Sequence, residues 1–151
     1  MEEMMFGGVK LVQAFPEPVL FKKYYNLFKE MVDYGGFEVL AHLDLPQRYI
    51  EGDRGKDEHL ELIGEILEKI IKKNMALEIN TSSLRKGMQE TLPSEKILRM
   101  YAEKGGSKVT LASDAHRTCE IKAGFEQAQK LITKYDFICG YYQKRKFMAI
   151  E

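Results

Sequence analysis

Four stretches of helical periodicity alternate with three short runs of strand type, and this alternation restricts the chain to few architectures. The helical stretches run from Glu17 to Val32, Lys56 to Lys73, Ser94 to Lys104 and Thr118 to Lys134. In the second, Leu60, Ile63, Leu67 and Ile70 form one apolar stripe that must be buried. Pro93 and Ser94 open the third, with Ser94 where an N-cap belongs, and Gly105 and Gly106 stop it. Strands are expected over Phe37 to Leu45, Ala76 to Ser82 and Val109 to His116. Strands alternating with helices at this spacing predict an α/β fold with a parallel sheet of right-handed βαβ units. The last run, Phe137 to Ile150, has a loop at Tyr142 to Lys146 and reads as a terminal hairpin or irregular edge.

At 151 residues, 44% apolar and 30% charged, the chain is expected to form a single domain over residues 1–151. Within it, Met1 to Gln13 matches no interior strand, so residues 1–15 read as a leader. Lys plus Arg balance Asp plus Glu at 23 each, which leaves no bulk field to hold nucleic acid or an anionic membrane. A charged ligand must therefore be held locally. The longest apolar stretches, such as Val39 to Leu43, are too short to cross a bilayer, and no signal segment opens the sequence. A cytoplasmic location is expected, with Cys119 and Cys139 as reduced thiols.

Alternation along the strands places chemistry on one side. In the first strand the odd positions Phe37, Val39, Ala41, Leu43 and Leu45 are apolar, and the even ones end in His42 and Asp44. In the second, Leu77 and Ile79 oppose Glu78 and Asn80; in the third, Val109 and Leu111 oppose Asp114 and His116. The expectation is an odd face buried under helices and an even face ending in a polar pair on each strand. His42, Glu78 and Asp114 also stand 36 residues apart, about one βα unit each. In parallel α/β sheets and barrels, functional groups gather where the strands end, so these six residues would line one mouth.

A His or Asp at a strand end often does no more than cap a helix or satisfy a loop. Imidazole and carboxylates are also ligands of borderline to hard divalent ions, and a DxH pair on one strand face can aim both side chains at one ion. Asp114, His116 and His42 are candidate metal ligands on that ground. His59, among Asp57, Glu58 and Glu61 on a helix, reads as a solvated surface residue.

The runs VLAHLDL (Val39 to Leu45), LEINTSSLR (Leu77 to Arg85) and LASDAH (Leu111 to His116), with the Pro93-Ser94 helix start, resemble in order and spacing the later motifs of the PHP phosphoesterase superfamily. Within it they are most similar to the histidinol-phosphate phosphatases, a resemblance that the aromatic helix with Tyr24 and Tyr25 also fits. The resemblance implies a distorted (β/α) barrel with up to three divalent ions, Zn, Mn or Fe, at the strand ends. It implies metal-dependent hydrolysis of a phosphate monoester, L-histidinol phosphate, in histidine biosynthesis. Carried over, it makes His42, Asp114 and His116 metal ligands, with Asp114 and His116 catalytic. It makes Arg85 a candidate for the substrate phosphate, with Asn80 in the same loop. Asp44, Glu78 and Asn80 would orient the ligands from behind or hold loops.

Members of the superfamily open with an HxH motif that this chain lacks, and a full α/β barrel takes about 250 residues. The chain is thus expected to be a partial PHP barrel, the C-terminal half with parallel strands, inactive by itself. A homo-oligomer or the missing N-terminal half would cover its open sheet edge, and the expected partner is a small phosphate ester. Two other readings stay open: another PHP phosphoesterase, and a non-catalytic half-barrel acting as a binding module.

Overall fold

A computed structural model describes residues 5–6, 9–10, 17–49 and 59–150. Two short strands, β1 (Met5–Phe6) and β2 (Val9–Lys10), pair antiparallel. The rest of the Met1 to Gln13 leader lies outside the described residues, as do residues 56–58, where the second helix is expected to begin. Then follow α1 (Glu17–Tyr34), β3 (Val39–Leu40), a 3₁₀ turn (Leu45–Tyr49) and α2 (Leu60–Lys72). Next come β4 (Ala76–Asn80), the single-turn α3 (Ser82–Arg85), α4 (Glu95–Glu103) and β5 (Lys108–Ala112). A 3₁₀ turn (Thr118–Glu120), α5 (Phe125–Lys134), β6 (Ile138–Gln143) and β7 (Lys146–Ala149) complete the order.

The strands form a sheet in the order β3-β4-β5-β6-β7, in which the first four are parallel and β7 is antiparallel to β6. The fold is therefore α/β with a mostly parallel sheet. The last two strands are a hairpin, as one reading of Phe137 to Ile150 anticipates. Its two-residue loop has φ 49° at Lys144 and 65° at Arg145, the left-handed geometry that matches the twist of paired strands.

Apolar spacing decides what is buried. Ile63, Ile66, Leu67 and Ile70 recur on one face of α2 and meet Phe21, Tyr25 and Val32 of α1 and Leu98 and Tyr101 of α4. Leu40, Leu77, Ile79 and Val109 supply the strand side of this core. Each such side chain taken out of water contributes roughly 1.5–3 kcal/mol.

Several expectations need correction. The first strand is two residues long rather than nine, because His42 adopts φ 57° and the chain then enters a 3₁₀ turn. Its parity is also reversed. Leu40 pairs with Leu77 and Val39 with Ala76, so it is the even Leu40 that shares the core face with the odd residues of β4. The interval of 36 residues does not describe the register either, since Glu78 stands beside Thr110. The third strand stops at Ala112, which leaves Asp114 and His116 on a loop instead of a strand face. The fourth helix begins at Phe125 and not Thr118, because Gly124, at φ 80°, breaks the turn before it. His59 is buried: the ring of Phe21 meets it edge-on at 6.2 Å and that of Tyr25 lies 5.6 Å away, because α1 packs over the start of α2.

Candidate functional site

At the ends of β3, β4 and β5, with Arg85 from α3, the residues singled out for chemistry fall into two groups, and Asp44 stands apart from both. The first centres on His42. Its left-handed backbone is uncommon outside glycine and is held by the Tyr24 hydroxyl, which donates to the His42 carbonyl at 2.5 Å. Burial pushes the Tyr24 phenol well above its ordinary range, so it remains a donor. The turn brings the His42 Nδ1 to 3.7 Å from the Glu78 Oε1. The His42 side chain is 41% exposed, yet its Nδ1 is shut off from solvent and has no hydrogen-bond partner. Glu78 is held in turn by the Asn80 amide, whose Nδ2 donates to Oε1 at 3.1 Å. The other end of that amide accepts the Ser82 N–H at 2.9 Å and so starts α3. Asn80 is buried and committed at both ends of its side chain.

The second group surrounds Asp114, also left-handed at φ 50°. Arg85, projecting from α3, donates through Nη1 to the Ser113 carbonyl at 2.8 Å and through Nη2 to the Asp114 carbonyl at 3.2 Å. Glu120 lies 3.5 Å from the same Nη2 and accepts the His116 N–H at 2.8 Å. That N–H is the first cause of the lowered pKa of the Glu120 carboxyl, with Arg85 adding to it. The His116 Nδ1 meets the Asp114 carbonyl at 2.9 Å, which leaves Nε2 as the outward nitrogen. The Asp114 carboxylate has no hydrogen-bond or ion-pair partner among the described residues.

Asp44 has a different occupation. It is fully buried, and its Oδ2 accepts the Ser94 N–H at 3.0 Å at the start of α4. A carboxylate at a helix N-terminus satisfies an amide that lacks an intrahelical partner and opposes the helix dipole. Ser94 occupies the N-cap position as expected, but its hydroxyl makes no cap bond and the acid comes from fifty residues away. Burial is the largest effect on Asp44 and pushes its carboxyl up to about 7 against the opposing Ser94 hydrogen bond.

Sequence reasoning missed two residues here. Glu120, four residues after His116, follows a spacing that one helical turn would bring together. Arg48 gave no local signal: its Nη2 donates to the Ser82 Oγ at 2.7 Å from the turn after β3, and its Nε is buried without a partner.

Among the described residues no three His, Cys, Asp or Glu side chains converge closely enough to enclose a metal ion. His42 with Glu78, and Asp114 with His116, are separate groups of donors. Among the described residues no helix is long and apolar enough to cross a membrane.

No family model matches the chain. Among curated proteins it is 36% identical over 115 residues to a probable histidinol-phosphatase of Thermotoga maritima, covering 76% of this chain and 48% of that protein. It is 34% identical over 113 residues to one from Deinococcus radiodurans, covering 75% and 42%, and 32% identical over 111 residues to one from Clostridium acetobutylicum, covering 70% and 42%. The chain spans about half the length of the curated relatives it matches. Over the stretch it shares with them, the chain is histidinol-phosphatase-like, and so hydrolase-like, in sequence.

Proposed function

We propose that this chain carries one side of a metal-dependent phosphate monoester hydrolase site that converts L-histidinol phosphate to L-histidinol in histidine biosynthesis, in the cytoplasm. In this reading it contributes the C-terminal half of a distorted (β/α) barrel of the PHP type. The observation that carries the reading is the strand-end arrangement of His42 beside Glu78 and of Arg85 across the Asp114 loop, in a chain similar to histidinol-phosphatases.

The buried, unpartnered His42 Nδ1 suits a divalent ion of the Zn, Mn or Fe kind, and Glu78, Asp114 and His116 are donors of matching chemistry. They fit such an ion as a partial set, with further donors to come from the other half. When bound, the ion supplies Lewis-acid neutralisation of charge on the phosphoryl oxygens.

The chain's own residues do the positioning. Tyr24 sets the His42 turn, Asn80 fixes the Glu78 carboxylate, and Glu120 fixes the His116 backbone. Arg85 clamps the Asp114 loop with two nitrogens and pairs with Glu120 through Nη2, and the second N–H of Nη1 is the group it would offer to a phosphate oxygen. Calorimetric titration with Zn²⁺ or Mn²⁺ tests the reading: His42→Ala and His116→Ala should each weaken binding about tenfold or more. Affinity equal to the wild type in both would remove the metal assignment. Phosphate release from L-histidinol phosphate should be absent for this chain alone and present in a protein that also carries the other half.

A further inference from the structure

At the opposite end of the sheet, where β3, β4 and β5 begin, a cavity of about 490 Å³ opens beside the β6–β7 turn. Lys73, Lys108, Arg145 and Lys146 line it, and among the described residues Glu38 is the one carboxylate in its lining. The charge is concentrated here in a chain whose net charge is zero. Glu38 is engaged by Arg145, whose Nε lies 2.5 Å from Oε1. The hydrogen bonds of Lys73 and Lys108 go to neutral acceptors. Lys108 donates to the Asn74 Oδ1 at 2.7 Å and sits 5.3 Å over the Phe147 ring. Lys73 donates to the Asp33 carbonyl at 2.8 Å, and the Asp33 carboxylate, paired with Lys69, also attracts it. The Lys146 ammonium has no partner among the described residues.

Lys108 and Lys146, which pair with no carboxylate among the described residues, line one cavity with Lys73, and like charges gathered on one wall favour an anion among them. The remaining wall is aromatic: Phe37, Tyr142 and Phe147, with the last two rings in edge contact at 5.3 Å. The frame is fixed, because the Lys144–Arg145 turn closes a hairpin paired from Gln143↔Lys146 through Gly140↔Ala149. A cavity of this size, cationic on one side and aromatic on the other, matches a ligand that joins phosphate groups to a flat ring.

We propose that this cavity is a second ligand site, distinct from the strand-end site, and that it takes a nucleoside diphosphate. The phosphates lie among Lys73, Lys108 and Lys146, and the base lies against the aromatic wall.

Isothermal titration of the whole chain with ADP, pyrophosphate and adenosine separates the contributions of charge and ring. ADP should bind more tightly than either fragment. The pair of substitutions Lys108→Met and Lys146→Glu should weaken ADP about tenfold or more. In amide NMR spectra of the wild type, ADP should shift Asn74, Lys108 and Phe147. Absence of binding at millimolar ADP, equal affinity in the double variant, pyrophosphate binding as tight as ADP, or shifts gathered at Asp114 and His116 would each overturn the proposal. The wild-type NMR map decides the matter even where the double variant fails to fold.

Discussion

Replacing Asp44 by Asn should leave stability little changed near pH 4 and raise it relative to the wild type as the pH climbs toward 7. The carboxyl is fully buried, and burial holds its pKa at about 7 in the folded chain. In the unfolded chain the ordinary value is about 3.9. The folded pKa is the higher one, so the contribution of Asp44 is fully present below about pH 4, where both states are protonated. It is lost as the pH rises toward 7, where the unfolded state gives up its proton and the folded state resists doing so. A separation of about three pH units corresponds to roughly 4 kcal/mol at 1.36 kcal/mol per unit, large beside a net stability of about 5–15 kcal/mol. Asparagine keeps the shape and an oxygen to accept the Ser94 N–H at the start of α4, but it cannot ionise. Urea unfolding of both proteins in chelator, at intervals from pH 4.5 to 7.5, measures the difference, and titrations common to both cancel. Stability of the variant relative to wild type should rise with pH by several kcal/mol. Parallel curves over the whole range would refute the argument that burial governs this acid.

Other perturbations test particular contacts. Gly124→Ala forces a side chain into φ 80° and places its Cβ 2.9 Å from the Leu84 Cδ1 and 3.0 Å from the Thr81 Cβ. It should cost about 1–3 kcal/mol and lower the Tm by several degrees; an unchanged melting curve would mean that the turn before α5 yields freely. Arg85→Lys keeps the charge but loses the two-pronged hold on the Ser113 and Asp114 carbonyls. In an active protein containing this segment it should reduce kcat/KM for L-histidinol phosphate by the equivalent of about 1–3 kcal/mol, and a value within twofold of wild type would make Arg85 a surface residue. Tyr24→Phe removes the donor to the His42 carbonyl, which should cost about 1 kcal/mol and weaken Zn²⁺ binding. Unaltered metal affinity would show that the His42 turn holds itself.

Sequence alone determined the elements whose causes are local. Helices α1, α2 and α4 and strands β4 and β5 lie close to where apolar spacing and the Gly and Pro stops put them, because those signals act within one or two turns of chain. The β6–β7 hairpin was legible for the same reason. Clustering of the polar residues at the strand ends followed from the β-α alternation. What the tertiary structure decided depends on pairings between distant segments. Register between β3 and β4 put Leu40, and not Val39, on the core face, and a one-residue difference reverses every side chain. His59 became a core residue because α1 lies over it, and Asp44 became the acid at the start of α4 because two loops fifty residues apart meet. His42 reached Glu78 through a left-handed turn that no periodicity reports. Local propensity can be read in a window of ten residues, whereas register, docking and burial are set by which surfaces remove most apolar area from water, and that is a property of the assembled chain.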